Sequence, residues 1–177
     1  MSQFRMHILI DGYNLIRQSV DLKRFERQSL EAGRRALIDW LAFYRRRKGH
    51  DVTVVFDGWK SGSPLEERHY SSGIHIIYTS LSVKADDVIK RILASSDEEI
   101  LVVSSDREIV SFAARRGKAT LSSLEFETLV NKQATSMNST YPEDKGEEEE
   151  SRTTSKKGPS RRLSRKERLT QAKIRKL

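Results

Sequence analysis

Short apolar segments alternate along the chain with longer segments whose apolar residues recur every three or four positions. The short segments are rich in β-branched residues and predict strands, whereas the longer periodicity predicts helices. The predicted strands are residues 8–10, 52–56, 74–78, 100–103 and 119–121. The predicted helices are residues 29–48, a helix that begins at Ser82 or Lys84 and includes Leu93, residues 108–116 and residues 124–131.

The segments between these elements are predicted as connections. Gly12 is expected to form a turn after the first strand, residues 21–27 a loop or a short helix, and residues 58–72 a loop containing Gly, Ser and Pro. The strands 52–56 and 100–103 show little alternation of apolar and polar residues, as strands covered on both faces do. Together with the alternation of strands and helices, this predicts a three-layer α/β fold with a mostly parallel central sheet.

The composition changes after about residue 132. Residues 133–155 are rich in Ser, Thr, Asn and Glu and include the acidic block Glu147–Glu150, which predicts a disordered linker. Residues 156–177 are basic, and Ser164 and Glu167 have the spacing of a capping box. A helix of about 13 residues is marginal alone, so we expect it to order only on a partner. The predicted domain therefore covers residues 1–132.

The positive charge of the chain lies mainly in this C-terminal segment. Residues 1–132 carry 21 basic and 18 acidic side chains, residues 133–150 one and six, and residues 151–177 eleven and one. A basic tail favours a polyanionic partner, such as RNA, DNA or an anionic membrane surface. The alternative is a tail that only increases solubility.

The composition also excludes several classes of site. The chain contains no cysteine, which excludes disulfides, cysteine nucleophiles and zinc sites built on thiolates, and which suits a cytoplasmic protein. The first residues have no long apolar stretch, so we expect no signal peptide. No apolar run approaches the roughly 20 residues that cross a membrane. The oligomeric state does not follow from the sequence.

Carboxylates follow several of the predicted strands. Asp11, Asp57 and Asp106 stand where strands end, and Asp86 stands in the first turn of a helix after a strand. Sites of open α/β sheets form outside the carboxyl ends of the strands, so these side chains are expected to meet at one edge. Their mutual repulsion would be relieved by a divalent cation, and oxygen ligands suit Mg²⁺ or Mn²⁺. Two such ions can promote hydrolysis of a phosphodiester.

Each carboxylate also has a structural interpretation. Asp11 and Asp57 precede glycines, as in a common turn, and Asp86 would favour a helix dipole. Asp106 could cap the helix that follows it. Glu125 and Glu127 could belong to a solvated helix face. From the pattern alone, both interpretations stay open.

Four segments in order resemble the motifs of one family. They are Ile10-Asp11-Gly12-Tyr13-Asn14, Val55-Phe56-Asp57-Gly58, Lys84-Ala85-Asp86-Asp87 and Ser104-Ser105-Asp106. This set resembles the NYN domain family, specifically its YacP-like branch, which belongs to the PIN-like ribonucleases. In the third segment Lys84 stands where the family has threonine.

The resemblance implies a PIN-like fold and a metal-dependent endoribonuclease. It implies that Asp11, Asp86 and Asp106 bind one or two Mg²⁺ or Mn²⁺ ions, with Asp57 the next candidate. Asn14 would orient a carboxylate or a metal-bound water. It leaves open whether Glu125 or Glu127 completes the site, because the closing acidic residue differs between branches.

Basic and aromatic residues near these motifs are candidate RNA contacts. Lys84, Arg107 and Trp59 are expected at the site, Trp59 as a base-stacking residue or as part of the core. The tail contributes Arg161, Arg162, Arg165 and Lys166. The resemblance implies RNA as partner, with messenger RNA at the ribosome as one case. The alternatives are an RNA- or ribosome-binding module without cleavage and a phosphatase acting on a small substrate. Glu147–Glu150 could also fold back on the tail and compete with RNA.

Overall fold

The computed structural model describes residues 5–58 and 64–135, the last three of them by their backbone alone. The strands are β1 His7–Asp11, β2 Asp51–Phe56, β3 Glu67–Ser71, β4 Ile74–Tyr78, β5 Ile100–Val103 and β6 Ala119–Leu121. The helices are α1 Gly12–Gln18, α2 Val20–Gln28, α3 Leu30–Lys48, α4 Ala85–Ser95, α5 Arg107–Arg115 and α6 Ser123–Thr135. None of these helices is long and apolar enough to cross a membrane.

The strands form one sheet in the order β3-β4-β2-β1-β5-β6. All neighbours are parallel except β3, which pairs antiparallel with β4. In the central strand, Ile10 is paired with Val54 of β2 and with Val103 of β5. Because these three strands are parallel and in register, their carboxyl ends meet at the same edge of the sheet. We call it the carboxyl edge.

Helices cover both faces of the sheet, so the predicted three-layer α/β fold is confirmed. On one face, Ile8 and Ile10 pack with residues of α1, α3 and α6, among them Leu37 and Phe126. On the other face, Leu9 packs with residues of α4 and α5. The alternation along β1 therefore separates two apolar cores, which we call the α3 face and the α4 face.

Two segments predicted as connections form regular structure. Residues 67–71, predicted as part of a loop, form β3, all of whose residues are exposed. An edge strand exposed on both faces lacks the apolar pattern that would predict it. Backbone pairing and the ring contacts of His69 with Tyr78 and of Tyr70 with His75 hold it to β4. The predicted turn at Gly12 was also wrong: the Asp11 carboxylate caps α1, which begins at Gly12.

The helix ends mostly follow the capping signals in the sequence. The Ser29 side chain caps α3 and Gly49 ends it with a positive φ of 71°, both as predicted. The loop-or-helix segment 21–27 is helical, since α2 begins after its cap Ser19. Helix α6 extends to Thr135, four residues beyond its predicted end. The predicted linker beyond Thr135 and the basic tail lie outside the described residues.

The chain after β2 is fixed to the end of β4 through Gly58. The Gly58 N–H donates to Thr79 Oγ1 at 2.8 Å, and the Thr79 N–H donates to the Phe56 carbonyl at 3.0 Å. A Cβ atom at Gly58 would lie 1.4 Å from the Thr79 carbonyl oxygen. This close approach of two backbones requires glycine and positions the preceding Asp57.

We expect Gly58→Ala to lower the free energy of unfolding by about 2 kcal/mol or more, because the backbone must move to relieve the clash. Urea denaturation monitored by circular dichroism measures the change. Gly117→Ala is the control, since Gly117 has a φ of 70° and open space around it. It should cost only about 1 kcal/mol from backbone strain. Equal losses in both variants would contradict the steric interpretation.

Candidate active site

Asp11 is a buried carboxylate at the centre of the carboxyl edge. Its Oδ1 accepts the Asn14 N–H at 3.2 Å and its Oδ2 accepts the Ser104 hydroxyl at 3.2 Å. Only 8% of the residue is exposed. Burial raises the pKa of Asp11 to about 7, and the charges of Asp86 and Asp57 act in the same direction against the two hydrogen bonds. The folded chain therefore holds this carboxylate in an environment that disfavours its charge.

Asp57 and Asp86 belong to the same part of the edge. Asp57 Oδ1 accepts the Ala85 N–H at 2.7 Å, which fixes the start of α4 beside the end of β2. Asp86, the next residue of that helix, is partly buried, and burial raises its pKa, followed by the nearby charge of Asp106. Each of these carboxylates raises the pKa of a neighbour, as expected for acidic side chains at the same edge of the sheet.

Asp106 is tied to Asp11 through one serine. The Ser104 hydroxyl that donates to Asp11 also accepts the Asp106 N–H at 3.1 Å. Asp106 Oδ1 accepts the Glu108 N–H at 2.7 Å and the Ile109 N–H at 3.3 Å, so Asp106 caps α5. Both bonds use Oδ1, and no described residue forms a hydrogen bond with the second carboxylate oxygen, which can therefore accept a ligand. The structural role that the sequence allowed for Asp106 is present without excluding a functional one.

Asn14 connects the ends of β5 and β6. Its Oδ1 accepts the Ser105 N–H at 2.9 Å and the Ser123 hydroxyl at 2.8 Å. A backbone N–H can only donate, so the amide oxygen must face Ser105. Ser105 Oγ in turn accepts the Ser123 N–H at 3.1 Å and donates to Gln18 Oε1 at 3.1 Å. The Asn14 side chain therefore holds the loop that carries Asp106. Its role in orienting a carboxylate or a metal-bound water, which the resemblance implied, stays a prediction.

The serines that hold this site together were not predicted from the sequence. Ser104 and Ser123 are fully buried, but serine is common in loops, and nothing in the sequence marks them as buried. Lys90 was also missed: it lies near the Asp86 charge and pairs with Glu108 of α5. Its position four residues after Asp86 on α4 was the available signal.

Glu125 and Glu127 have structural partners. Ser122 and Glu125 form a capping box at the start of α6, in which the Ser122 N–H donates to Glu125 Oε2 at 2.9 Å and the Glu125 N–H to Ser122 Oγ at 3.3 Å. Glu127 accepts a hydrogen bond from the buried Ser19 hydroxyl. The first pair of bonds caps α6, and the bond between Ser19 and Glu127 joins α6 to the cap of α2.

The predicted nucleic-acid contacts are only partly described. Lys84 and Arg107 are exposed, and they stand directly before α4 and at the first residue of α5, beside the acidic side chains. The other candidates lie outside the described residues: Trp59, the tail residues Arg161, Arg162, Arg165 and Lys166, and the acidic block Glu147–Glu150.

The carboxylates do not by themselves form a closed metal site. Within residues 5–58 and 64–135, no three acidic or histidine side chains are close enough together to hold a metal ion. The available donors are oxygens, and among the residues that the structure describes no basic side chain pairs with the Asp11 carboxylate. Because Mg²⁺ usually keeps several waters and binds through one or two carboxylates, the residues fit a hydrated ion of this kind. They do not fit a cage made entirely of protein ligands.

Comparison with known proteins identifies the family. A family model described as a YacP-like NYN domain matches residues 8–176. The chain belongs to the YacP-like NYN domain family. The resemblance predicted from the motifs is therefore confirmed. The match extends through the basic C-terminal segment, so this segment is included in the family's pattern.

Individual members of the YacP-like family agree with this assignment. The uncharacterized protein YacP of Bacillus subtilis (strain 168) is 31% identical over 102 residues, which cover 56% of this chain and 59% of that protein. The crystal structure of Rae1 (YacP) from Bacillus subtilis has a TM-score of 0.61 at 25% identity over 74% of this chain and 76% of that chain. A point variant of it gives 0.63 at 26% identity over 76% and 80%. Membership in this family supports a nuclease-type, RNA-related function.

We expect Asp11→Asn to stabilise the metal-free YacP-like domain at pH 8. The folded pKa of Asp11 lies above its unfolded value of 3.8, so its ionisation costs stability that grows as the pH rises from 4 to 7. The variant removes this cost, which is on the order of 4 kcal/mol above pH 7 and smaller at pH 5. Denaturation in EDTA at both pH values measures it. Asp97→Asn, at an exposed position before β5, should show no such pH-dependent gain.

We expect Asn14→Ala to lower the free energy of unfolding by about 2 kcal/mol, because the Ser105 N–H and the Ser123 hydroxyl lose their acceptor. Gln28→Ala is the control, because Gln28 is an exposed amide at the last residue of α2. That control should change the free energy by less than about 0.5 kcal/mol. Similar values for the two variants would show that the connection through Asn14 contributes little.

Proposed function

We propose that this chain is a metal-dependent endoribonuclease. The observation that supports the proposal most directly is the buried carboxylate of Asp11, whose pKa is raised to about 7 beside Asp57 and Asp86. Maintaining an acidic cluster at this edge costs stability in the absence of a cation, which is common at functional sites. Family membership supports RNA as the substrate class, and we extend the proposal to messenger RNA and to RNA at the ribosome.

In this proposal Asp11, Asp86 and Asp106 hold one or two Mg²⁺ or Mn²⁺ ions together with water. When bound, the metal supplies a nucleophile at neutral pH and offsets charge on the phosphate. The chain's own residues position these ligands: Ser104 orients Asp11 and Asp106, and the helix cap at Asp106 fixes one of its oxygens. Lys84 and Arg107 are exposed cations at the same edge that suit phosphate oxygens.

Replacement of each proposed ligand by asparagine should abolish cleavage while keeping the fold. Asp11→Asn, Asp86→Asn and Asp106→Asn should each lower Mn²⁺-dependent cleavage of single-stranded RNA by roughly 100-fold or more. Asparagine can still cap a helix, so α5 should remain folded in the Asp106 variant. Mn²⁺ should raise the melting temperature of the unmodified chain but not that of Asp11→Asn. Asp97→Asn should cleave normally, and full activity of Asp11→Asn would refute the mechanism.

A second candidate is an RNA-binding module that does not cleave. The lack of three convergent ligands among the described residues favours it, since catalysis would need metal and waters to complete the site. This candidate predicts salt-dependent RNA binding without cleavage in any divalent metal.

A further inference from the structure

Arg34 is a partly buried arginine at the carboxyl edge, on the α3 face. Its Nη1 donates to the Tyr13 hydroxyl at 3.2 Å, and its guanidinium carbon lies 5.4 Å from the centre of the Tyr78 ring. The side chain is therefore held by one hydrogen bond and one cation–π contact.

Within the described part of the chain, the Arg34 guanidinium forms no ion pair. Among the residues that the structure describes, no carboxylate lies within 4.0 Å of it, whereas the next residue, Arg35, pairs with Glu31 at 3.3 Å. On α1, Arg17 pairs with Glu26 at 3.4 Å. An arginine with one N–H committed to a tyrosine still offers most of its five donors in a planar fork, the geometry that suits a phosphate group.

The groups that hold Arg34 are themselves rigid. The Tyr78 ring stacks on Phe56 with ring centres 5.6 Å apart, and the Tyr13 ring meets Phe56 edge-on at 5.2 Å. Phe56 is fully buried and Tyr13 is 3% exposed. Because these aromatic rings are fixed in the core, the cation is positioned before any ligand binds, which lowers the entropic cost of binding.

The groups that hold Arg34 lie at the same edge of the sheet as the acidic side chains. Tyr13 follows Asp11 by two residues, and Tyr78 ends β4, beside the end of β2 that leads to Asp57. β4 and β1 are separated by two strand spacings, or about 10 Å. Arg107 lies on the other side of β1, at the start of α5 after β5. A single strand lying across the carboxyl edge could therefore reach Arg34, the carboxylates and Arg107.

We propose that Arg34 binds a backbone phosphate of single-stranded RNA, next to the carboxylate cluster on the β4 side. The Tyr13 hydroxyl and the Tyr78 ring hold its guanidinium in place for this contact. This inference rests on the proposed function for its ligand, RNA, but it concerns binding and does not require cleavage.

The test is RNA binding by the full chain in EDTA, measured by fluorescence anisotropy with a labelled single-stranded RNA at several salt concentrations. Arg34→Gln should weaken binding about 10-fold at low salt, and the slope of log K against log salt should fall by about 0.7, the value for one phosphate contact. Arg35→Gln removes the same charge from the next position of α3 and should weaken binding less than twofold with an unchanged slope. Arg34→Lys should lie between, because it keeps the charge but loses the planar fork.

Tyr13→Phe keeps the buried ring and removes only the hydroxyl that holds Arg34, so it should weaken RNA binding about two- to threefold. Three results would each overturn the inference. Arg34→Gln could bind RNA as tightly as the unmodified chain, Arg34→Gln and Arg35→Gln could lose affinity equally, or the unmodified chain could fail to bind RNA. If Arg34→Gln lowers the melting temperature but leaves the slope of log K against log salt unchanged, Arg34 contributes only to packing, which also overturns the inference. A chain that binds RNA through Arg34 but never cleaves it would refute the endoribonuclease and leave this inference standing.

Discussion

The site depends on placing an ionisable carboxylate at the end of the central strand. Asp11 ends β1, which has neighbours on both sides, and α1 begins immediately after it. Such a position is difficult to hydrate, and the two hydrogen bonds to its oxygens only partly offset the loss of water. The charges of Asp57 and Asp86 increase the cost further. Ser104, which donates to Asp11, also accepts the N–H of Asp106 and so connects this unfavourable charge to the next carboxylate.

The surrounding carboxylates are held in place by bonds that also build the fold. Asp57 accepts the first N–H of α4, and Asp106 caps α5 with one oxygen. The sequence left open whether each carboxylate has a structural or a functional role. These hydrogen bonds show that a structural role does not exclude a functional one. A carboxylate has two oxygens, so one can satisfy a helix terminus while the other remains available to a ligand. Asparagine preserves the first role and removes the charge, which is why it separates the two roles better than alanine.

The sequence predicted the strands and helices that bury apolar residues, but it did not predict the hydrogen bonds between particular polar side chains. The strands 52–56 and 100–103 are buried on both faces and were recognised almost to the residue, as was α3 with its caps Ser29 and Gly49. β3 was missed because its residues are all exposed. The position of the acidic residues followed from the rule for strand ends. The buried serine and asparagine bonds did not, because they join residues about 90 to 110 positions apart and leave no local pattern.

The carboxyl edge has cations on both sides of its acidic residues. Asp11 lies on the α4 side of β1, two positions after Leu9, and the nearby charge of Asp86 on α4 raises its pKa. Lys84 and Arg107 are exposed at the starts of α4 and α5, next to these carboxylates. Arg34 lies on the α3 side, where its guanidinium lies over the ring of Tyr78. The carboxylates repel phosphate until a metal ion binds, whereas these three cations attract it without metal. Under the proposed function, a strand that crosses the edge would therefore meet a cation on each side of Asp11.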